Sequence, residues 1–258
     1  MTGLYVERLG AGGLPLVCLH GWGMNLRVFD ALRDRLAPQR EVMLVDLPGH
    51  GASDWQASDE AFEAQCARIA AVLPPRCAVL GWSLGAQMAL WLAHQQPSRV
   101  QRLVVVAGTP RFVSDEEWPH GVAPAVMHRF AVQLESDWQA TVQEFLQLQL
   151  RGSREAGPAL RWLQDALARH GAASRPALGA GLRFLRDNDL RHLCAAIAQP
   201  SLVVAGQHDR ITPAAAAGWL ALNVGQGRHV EIPRAGHVPQ LSHVETLCDA
   251  LEEFLADA

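Results

Sequence analysis

Short apolar runs punctuate the chain at residues 14–19, 42–47, 77–81, 103–107, 202–205 and 230–232. Continuous apolarity, in place of strict alternation, marks strands covered on both faces, and such strands belong to parallel sheets. Between these runs the apolar positions recur at helical spacing, which predicts helices over 26–36, 58–73, 83–94, 213–222 and 242–255. Thr212 followed by Pro213 predicts a capped start for the fourth of these, and Ser242 with Glu245 has capping-box spacing. The glycine-rich stretch 10–13 predicts a turn ahead of the first long strand. After Pro110 the alternation stops. As far as about Asp189 only helical stretches occur, among them 136–150, opened by the capping pair Ser136 and Gln139. The expected architecture is α/β. Residues 1–110 and 190–258 form a mostly parallel sheet with helices on both faces, and residues 111–189 insert a helical cap.

Composition narrows the function. The 258 residues are 49% hydrophobic and 19% charged, so the chain can bury a sizeable core. A formal charge of -4 and the lack of a basic tail argue against a nucleic-acid partner. All 22 basic residues are arginine. They are unevenly spread: residues 151–191 hold eight arginines against four acids, so the cap carries the positive field. No stretch approaches the roughly 18 apolar residues of a membrane span, and the mixed Glu7 and Arg8 region does not read as a leader. Cys18, Cys66, Cys77, Cys194 and Cys248 are scattered, odd in number and never spaced as CxxC, which predicts neither a disulfide framework nor a zinc site. The expectation is a cytoplasmic monomer without a membrane partner.

The chemistry centres on Gly81-Trp82-Ser83-Leu84-Gly85, which falls between an apolar run and a helical one, the context of a nucleophile elbow. So sharp a turn strains its central residue, and a side chain at either glycine would collide with neighbouring backbone. The following helix aims its N-terminus at Ser83, so its dipole and the Leu84 amide favour negative charge on a substrate oxygen. A serine hydroxyl needs a base within hydrogen-bond reach, and that base needs an orienting acid. Asp209 and His237 each follow a strand at its carboxyl end, where loops converge on one rim. His229 precedes its strand and His243 lies in the last helix, which leaves His237 as base and Asp209 as acid. His20-Gly21-Trp22-Gly23 follows the 14–19 run on the same rim, so the Trp22 amide pairs with that of Leu84 as an oxyanion hole. His20 reads as a buried shaper of that loop, and Asp46 with Ser53 as part of a supporting turn.

Together, His20-Gly21-Trp22-Gly23, Asp46-Leu47-Pro48-Gly49-His50-Gly51-Ala52-Ser53, the elbow, Asp209 and Gly236-His237 resemble the α/β-hydrolase superfamily over nearly the whole chain, including its Ser, Asp, His order. Within it the chain resembles the pimeloyl-acyl-carrier-protein methyl ester esterases of biotin synthesis. That likeness extends to Asp115-Glu116-Glu117-Trp118-Pro119 and Phe145-Leu146-Gln147-Leu148-Gln149 in the cap. It implies an α/β-hydrolase fold and a serine esterase that needs no cofactor or metal. The acyl chain would lie near Trp22, Ser83, Leu84, Phe145, Leu146, Gln147, Leu148, Gln149 and His237. It also implies that basic cap residues meet an acidic carrier protein. Glu144 is an acid where such a surface favours a base, which leaves Arg151, Arg154 and Arg161 as the expected contacts.

Rival readings keep the scaffold. A general short-chain acyl esterase or a carbon-carbon bond hydrolase would retain the triad and change the cap pocket. A haloalkane dehalogenase needs a carboxylate where Ser83 stands, and a ligand receptor would leave Ser83 unreactive. Trp82, Trp118 and Phe145 read equally as core or as substrate contacts. Asp187 and Asp189 compete with Asp209 only from the cap's return segment.

Overall fold

The computed structural model describes residues 3–150 and 156–256. Strands β1 (Val6–Leu9), β2 (Leu16–Leu19), β3 (Val42–Val45), β4 (Cys77–Trp82), β5 (Val100–Val106), β6 (Ser201–Gly206) and β7 (Gly227–Ile232) form one sheet in the order β1-β3-β2-β4-β5-β6-β7. Every pairing is parallel except that of β1 with β3. The residues of β2, β3, β4 and β6 are buried throughout, as expected of strands sandwiched by helices. At the two edges β1 and β7 are largely open, and β1 mixes Glu7 and Arg8 with its apolar residues. The expected mostly parallel α/β sheet is therefore present.

Helices α1 (Asp30–Leu36), α2 (Phe62–Val72) and α3 (Leu84–Gln95) connect the first five strands. Between β5 and β6 the chain runs through α4 (Pro124–Ser136), α5 (Trp138–Gln149), α6 (Ala156–His170), α7 (Arg175–Asp187) and the short α8 (Arg191–Cys194). Helix α9 (Ala214–Asn223) joins β6 to β7, and α10 (Pro239–Ser242) and α11 (Val244–Leu255) complete the chain. Among the described residues no helix is long and apolar enough to cross a membrane. All five cysteines are free and buried, and burial pushes Cys77 up to about 11 and Cys194 and Cys248 up to about 12, so these stay thiols.

The three cap signals in the sequence resolve differently from expectation. Asp137, not Ser136, caps α5 by accepting from the Ala140 amide at 3.0 Å, because the Ser136 hydroxyl is turned back to the Gln133 carbonyl. Ser242 ends α10 and donates to the Val238 carbonyl at 3.1 Å, so the capping box with Glu245 does not form and His243 occupies the cap of α11. Thr212 leaves α9 uncapped, its hydroxyl being engaged by Asp209.

Polar tethers seat α6 and α7 on the carboxyl rim of the sheet. Asn25 Nδ2 donates to the carbonyls of Ala166 and Gly171 at 3.1 and 2.9 Å, and His170 Nε2 donates to Asp46 Oδ2 at 2.7 Å. The Ser174 amide reaches the Gly49 carbonyl at 2.7 Å, and the Trp22 indole N–H reaches the Leu178 carbonyl at 2.8 Å. These bonds fix the helical insertion over the loops that follow β2 and β3.

Candidate active site

Ser83 occupies the turn between β4 and α3 with φ 56° and ψ -116°. A non-glycine residue in that region costs about 1–3 kcal/mol and persists only where its surroundings enforce it. Here the Ser83 amide is held by the Val106 carbonyl at 3.2 Å, and its carbonyl accepts from the Ala86 amide at 3.0 Å. The flanking glycines permit the turn through close approach. A Cβ on Gly81 would lie 2.2 Å from the Gly85 carbonyl oxygen, and one on Gly85 would lie 2.2 Å from that of Leu19. Both obstacles are backbone and cannot rotate away. A Gly85→Ala variant is expected to lose about 3 kcal/mol or more of stability, or to fail to fold, as read by its thermal unfolding midpoint.

His237, in the loop after β7, brings Nε2 to 3.0 Å from Ser83 Oγ and Nδ1 to 2.8 Å from Asp209 Oδ2. All three residues are buried. Asp209 is held in turn: Oδ1 accepts from the amides of Ile211 and Thr212 at 2.8 and 3.0 Å, and Oδ2 accepts from the Thr212 hydroxyl at 2.6 Å. The carboxylate is thus fixed as an acceptor, which sets His237 as the tautomer protonated on Nδ1 and leaves Nε2 free to accept from Ser83. The Trp82 indole N–H donates to the His237 carbonyl at 2.8 Å and anchors that loop from below. Trp82 therefore packs under His237 and is absent from the cleft wall, and Trp118 is likewise buried away from it, against Trp219.

Thr212 was legible only as a helix cap; its value as a clamp on Asp209 depends on the loop's conformation. A Thr212→Val variant is expected to lower kcat about tenfold, the worth of one hydrogen bond to a charged group. Thr212→Ser should restore it, which a purely steric role would not require.

The Trp22 loop packs directly against Ser83, since a Cβ on Gly21 would sit 3.0 Å from Ser83 Cβ. Among the described residues neither the Trp22 nor the Leu84 amide donates to another protein group, so both are free to donate. His20 shapes this loop. Its Nδ1 donates to the Gly21 carbonyl at 2.9 Å and its Nε2 accepts from the Leu47 amide at 3.0 Å, so the ring is neutral and both nitrogens are engaged. Burial holds it well below the ordinary imidazole value, and its 3.9 Å approach to Asp46 is accordingly no ion pair. Asp46 accepts from the Leu26 and Ala52 amides at 2.8 and 2.9 Å, and the Ser53 hydroxyl donates to the Asp46 carbonyl at 2.7 Å. Both residues belong to the supporting turn, as their setting in the sequence predicts.

His50 is also buried, and desolvation lowers its imidazole below the ordinary 6.5. Below that value the unfolded chain takes up protons that folded His20 and His50 refuse, so stability is full above it and falls as the pH drops. The thermal midpoint should fall between about pH 7 and 5. The fall should be shallower for His50→Asn, which keeps a donor toward the Pro48 carbonyl but cannot titrate.

A cleft of about 360 Å³ meets this constellation through Trp22 and Ile211, while Ser83, Leu84 and His237, also expected near an acyl chain, are not part of its wall. Its wall includes Trp22, Val126, Phe130, Phe145, Leu148 and Ile211. Trp22 meets Phe145 edge-on at 5.0 Å. Of the five α5 residues expected near an acyl chain, only Phe145 and Leu148 line the cleft. Leu146 is buried and Gln147 exposed on other faces of the helix, because consecutive residues do not share a face, and Gln149 is buried outside the cleft wall although it is four residues from Phe145. Arg161 is exposed on α6 and absent from the cleft wall; Arg151 and Arg154 lie outside the described residues. Sequence reasoning missed Arg129 and Arg210, which do line the cleft.

The family model for the alpha/beta hydrolase fold matches residues 15–244, and the chain belongs to that family of hydrolases. An esterase from Exiguobacterium antarcticum superposes with a TM-score of 0.90 at 25% identity, covering 99% of this chain and 96% of that one. Within the family, a pimeloyl-[acyl-carrier protein] methyl ester esterase from Nitrosomonas europaea is 40% identical over 245 residues, 95% of this chain and 96% of its own. Its counterpart from Stenotrophomonas maltophilia is 41% identical over 254 residues, 98% of this chain and 96% of its own. At that identity across nearly the full length, the chain groups with these esterases.

Proposed function

We propose that the protein is a serine esterase that removes the methyl ester from a pimeloyl group carried on an acyl-carrier protein, releasing the free acid and methanol in biotin synthesis. The observation that carries the reading is the continuous hydrogen-bond chain from Asp209 through His237 to Ser83, set beside an apolar cleft. His237 Nε2 takes the hydroxyl proton as Ser83 Oγ attacks the ester carbonyl, and Asp209 stabilises the imidazolium that forms. The Trp22 and Leu84 amides receive the oxyanion. Imidazolium then protonates the departing methoxide to methanol, leaving an acyl-serine. Water deprotonated by His237 attacks that acyl group, and collapse returns the proton to Ser83 as the carboxylic acid leaves. Apart from the attacking water, each group in this sequence of steps is a side chain or amide of this chain.

Residues 111–189 act in this reading as a cap that roofs the cleft and selects the acyl chain. The apolar wall favours an aliphatic acyl group over a polar one. The substrate for which these relatives are named supports the finer assignment, and a cytoplasmic site of action accords with a carrier-bound intermediate. The test is turnover of pimeloyl-carrier methyl ester beside a panel of simple acyl esters, followed by mass change of the carrier. Demethylation of the carrier-bound ester supports the reading. Turnover of short esters alone would make this a general esterase, and failure on all esters would point to the receptor reading.

A further inference from the structure

The cleft wall carries two guanidinium groups that the fold does not engage. Arg129 on α4 and Arg210, next to Asp209, both line the cleft and are exposed. Among the described residues neither makes an ion pair or hydrogen bond, and Arg129 merely lies 6.0 Å over the Phe130 ring. The acid on the same wall, Glu144, already accepts from Gln133 Nε2 at 2.9 Å. Arginines on α7 and just beyond are engaged instead: Arg175 donates to the Glu135 carbonyl, and Arg183 pairs with Glu60, Arg186 with Asp187 and Arg191 with Asp189. Unmatched positive charge is therefore found on the exposed part of a mostly apolar cleft wall, whose one other charged residue, Glu144, is taken by Gln133. An apolar spacer ending in an anion complements that pattern, because guanidinium forks bind planar oxyanions through paired, charge-assisted hydrogen bonds.

We propose that Arg129 and Arg210 form an anion subsite of the acyl cleft, binding a carboxylate or phosphate carried beyond the acyl chain whose ester reaches Ser83. The proposal rests on the esterase reading above and adds the recognition of the far end. One arginine belongs to the helical insertion and the other to the loop after β6, so a bound anion joins the two parts across the cleft. The oxyanion has two possible sources: a free carboxylate on the monoester of a dicarboxylic acid, or the phosphodiester in the prosthetic arm of a carrier.

Two substrate pairs separate these. Monomethyl and dimethyl pimelate differ in the far carboxylate. The methyl ester of a pimeloyl thioester on phosphopantetheine and on pantetheine differ in the phosphate. For the wild-type protein kcat/KM is expected to favour the anionic member of one pair at least tenfold, and that pair names the source. The preference should shrink as ionic strength rises, because the groups are exposed and screened. In an Arg129→Gln/Arg210→Gln variant the ratio should approach one, each substrate pair serving as its own reference for folding. Wild-type indifference in both pairs, a salt-independent ratio, or a preference retained by the variant would overturn the subsite and leave the esterase reading standing. Failure of the wild type on every methyl ester would remove that reading and the subsite with it.

Discussion

A Ser83→Ala variant is expected to lose about 10⁴- to 10⁶-fold in kcat/KM for any ester the wild type cleaves, with little change in its thermal midpoint. Alanine keeps the Cβ that the elbow already accommodates and the same φ of 56°, so the turn and the two rim amides survive. What disappears is the oxygen that attacks and the hydrogen bond to His237 Nε2. The remaining activity reflects oxyanion binding and orientation alone, since groups that act as a unit are not additive. His237→Ala should fall to the same floor, and the double variant no lower. A mechanism-based serine reagent should add to the wild type at Ser83 and not to the variant, as read by intact mass. Full turnover by Ser83→Ala would place the nucleophile elsewhere, and absence of labelling in the wild type would favour a receptor on this scaffold.

Much of this site was legible because close packing leaves a signature in residue type. The elbow needs glycine at 81 and 85 because backbone oxygens lie where side chains would begin. The order of strands is readable because those buried on both faces must be apolar throughout, as β2, β3 and β4 are. Strand β1 escapes for the converse reason: as an antiparallel edge with Glu7 and Arg8 in its four residues, it shows neither a continuous apolar run nor clean alternation. Helix caps depend on more than the local sequence. Thr212, Ser136 and Ser242 each have a hydroxyl suited to capping, but one oxygen has several possible partners, and the tertiary arrangement of Asp209 or the preceding turn decides among them. The cleft was the least legible part. A five-residue run on α5 points in every direction, whereas Arg129 and Arg210 are 81 positions apart and meet the same cavity only after the insertion folds back over the sheet.

The second large effect is expected at Asp209, where isosteric replacement isolates charge and tautomer from shape. Asp209→Asn keeps the volume of the carboxylate, and the amides of Ile211 and Thr212 will hold the asparagine oxygen at the former Oδ1 position, since an NH2 group there would face two donors. The amide nitrogen is then forced to the Oδ2 position, 2.8 Å from His237 Nδ1, where it can only donate. His237 must accept that bond on Nδ1 and carry its proton on Nε2, pointing at Ser83 in place of the lone pair that should receive the hydroxyl proton. The Thr212 hydroxyl can rotate and accept from the new NH2 group, so the fold tolerates the exchange. The expected result is a drop of about 10⁴-fold in kcat near neutral pH with an almost unchanged thermal midpoint and little change in ester binding. Because hydroxide can deprotonate the serine without a histidine base, kcat of Asp209→Asn should climb steadily as the pH is raised, where the wild-type profile levels off. A small loss, or a profile parallel to that of the wild type, would mean that Asp209 only orients the loop and that the tautomer of His237 is set by another group. Asp209→Ala separates the alternatives further: without a donor at Oδ2 the ring can choose its own tautomer, so this variant should lose less activity than Asp209→Asn even though it removes more of the contact.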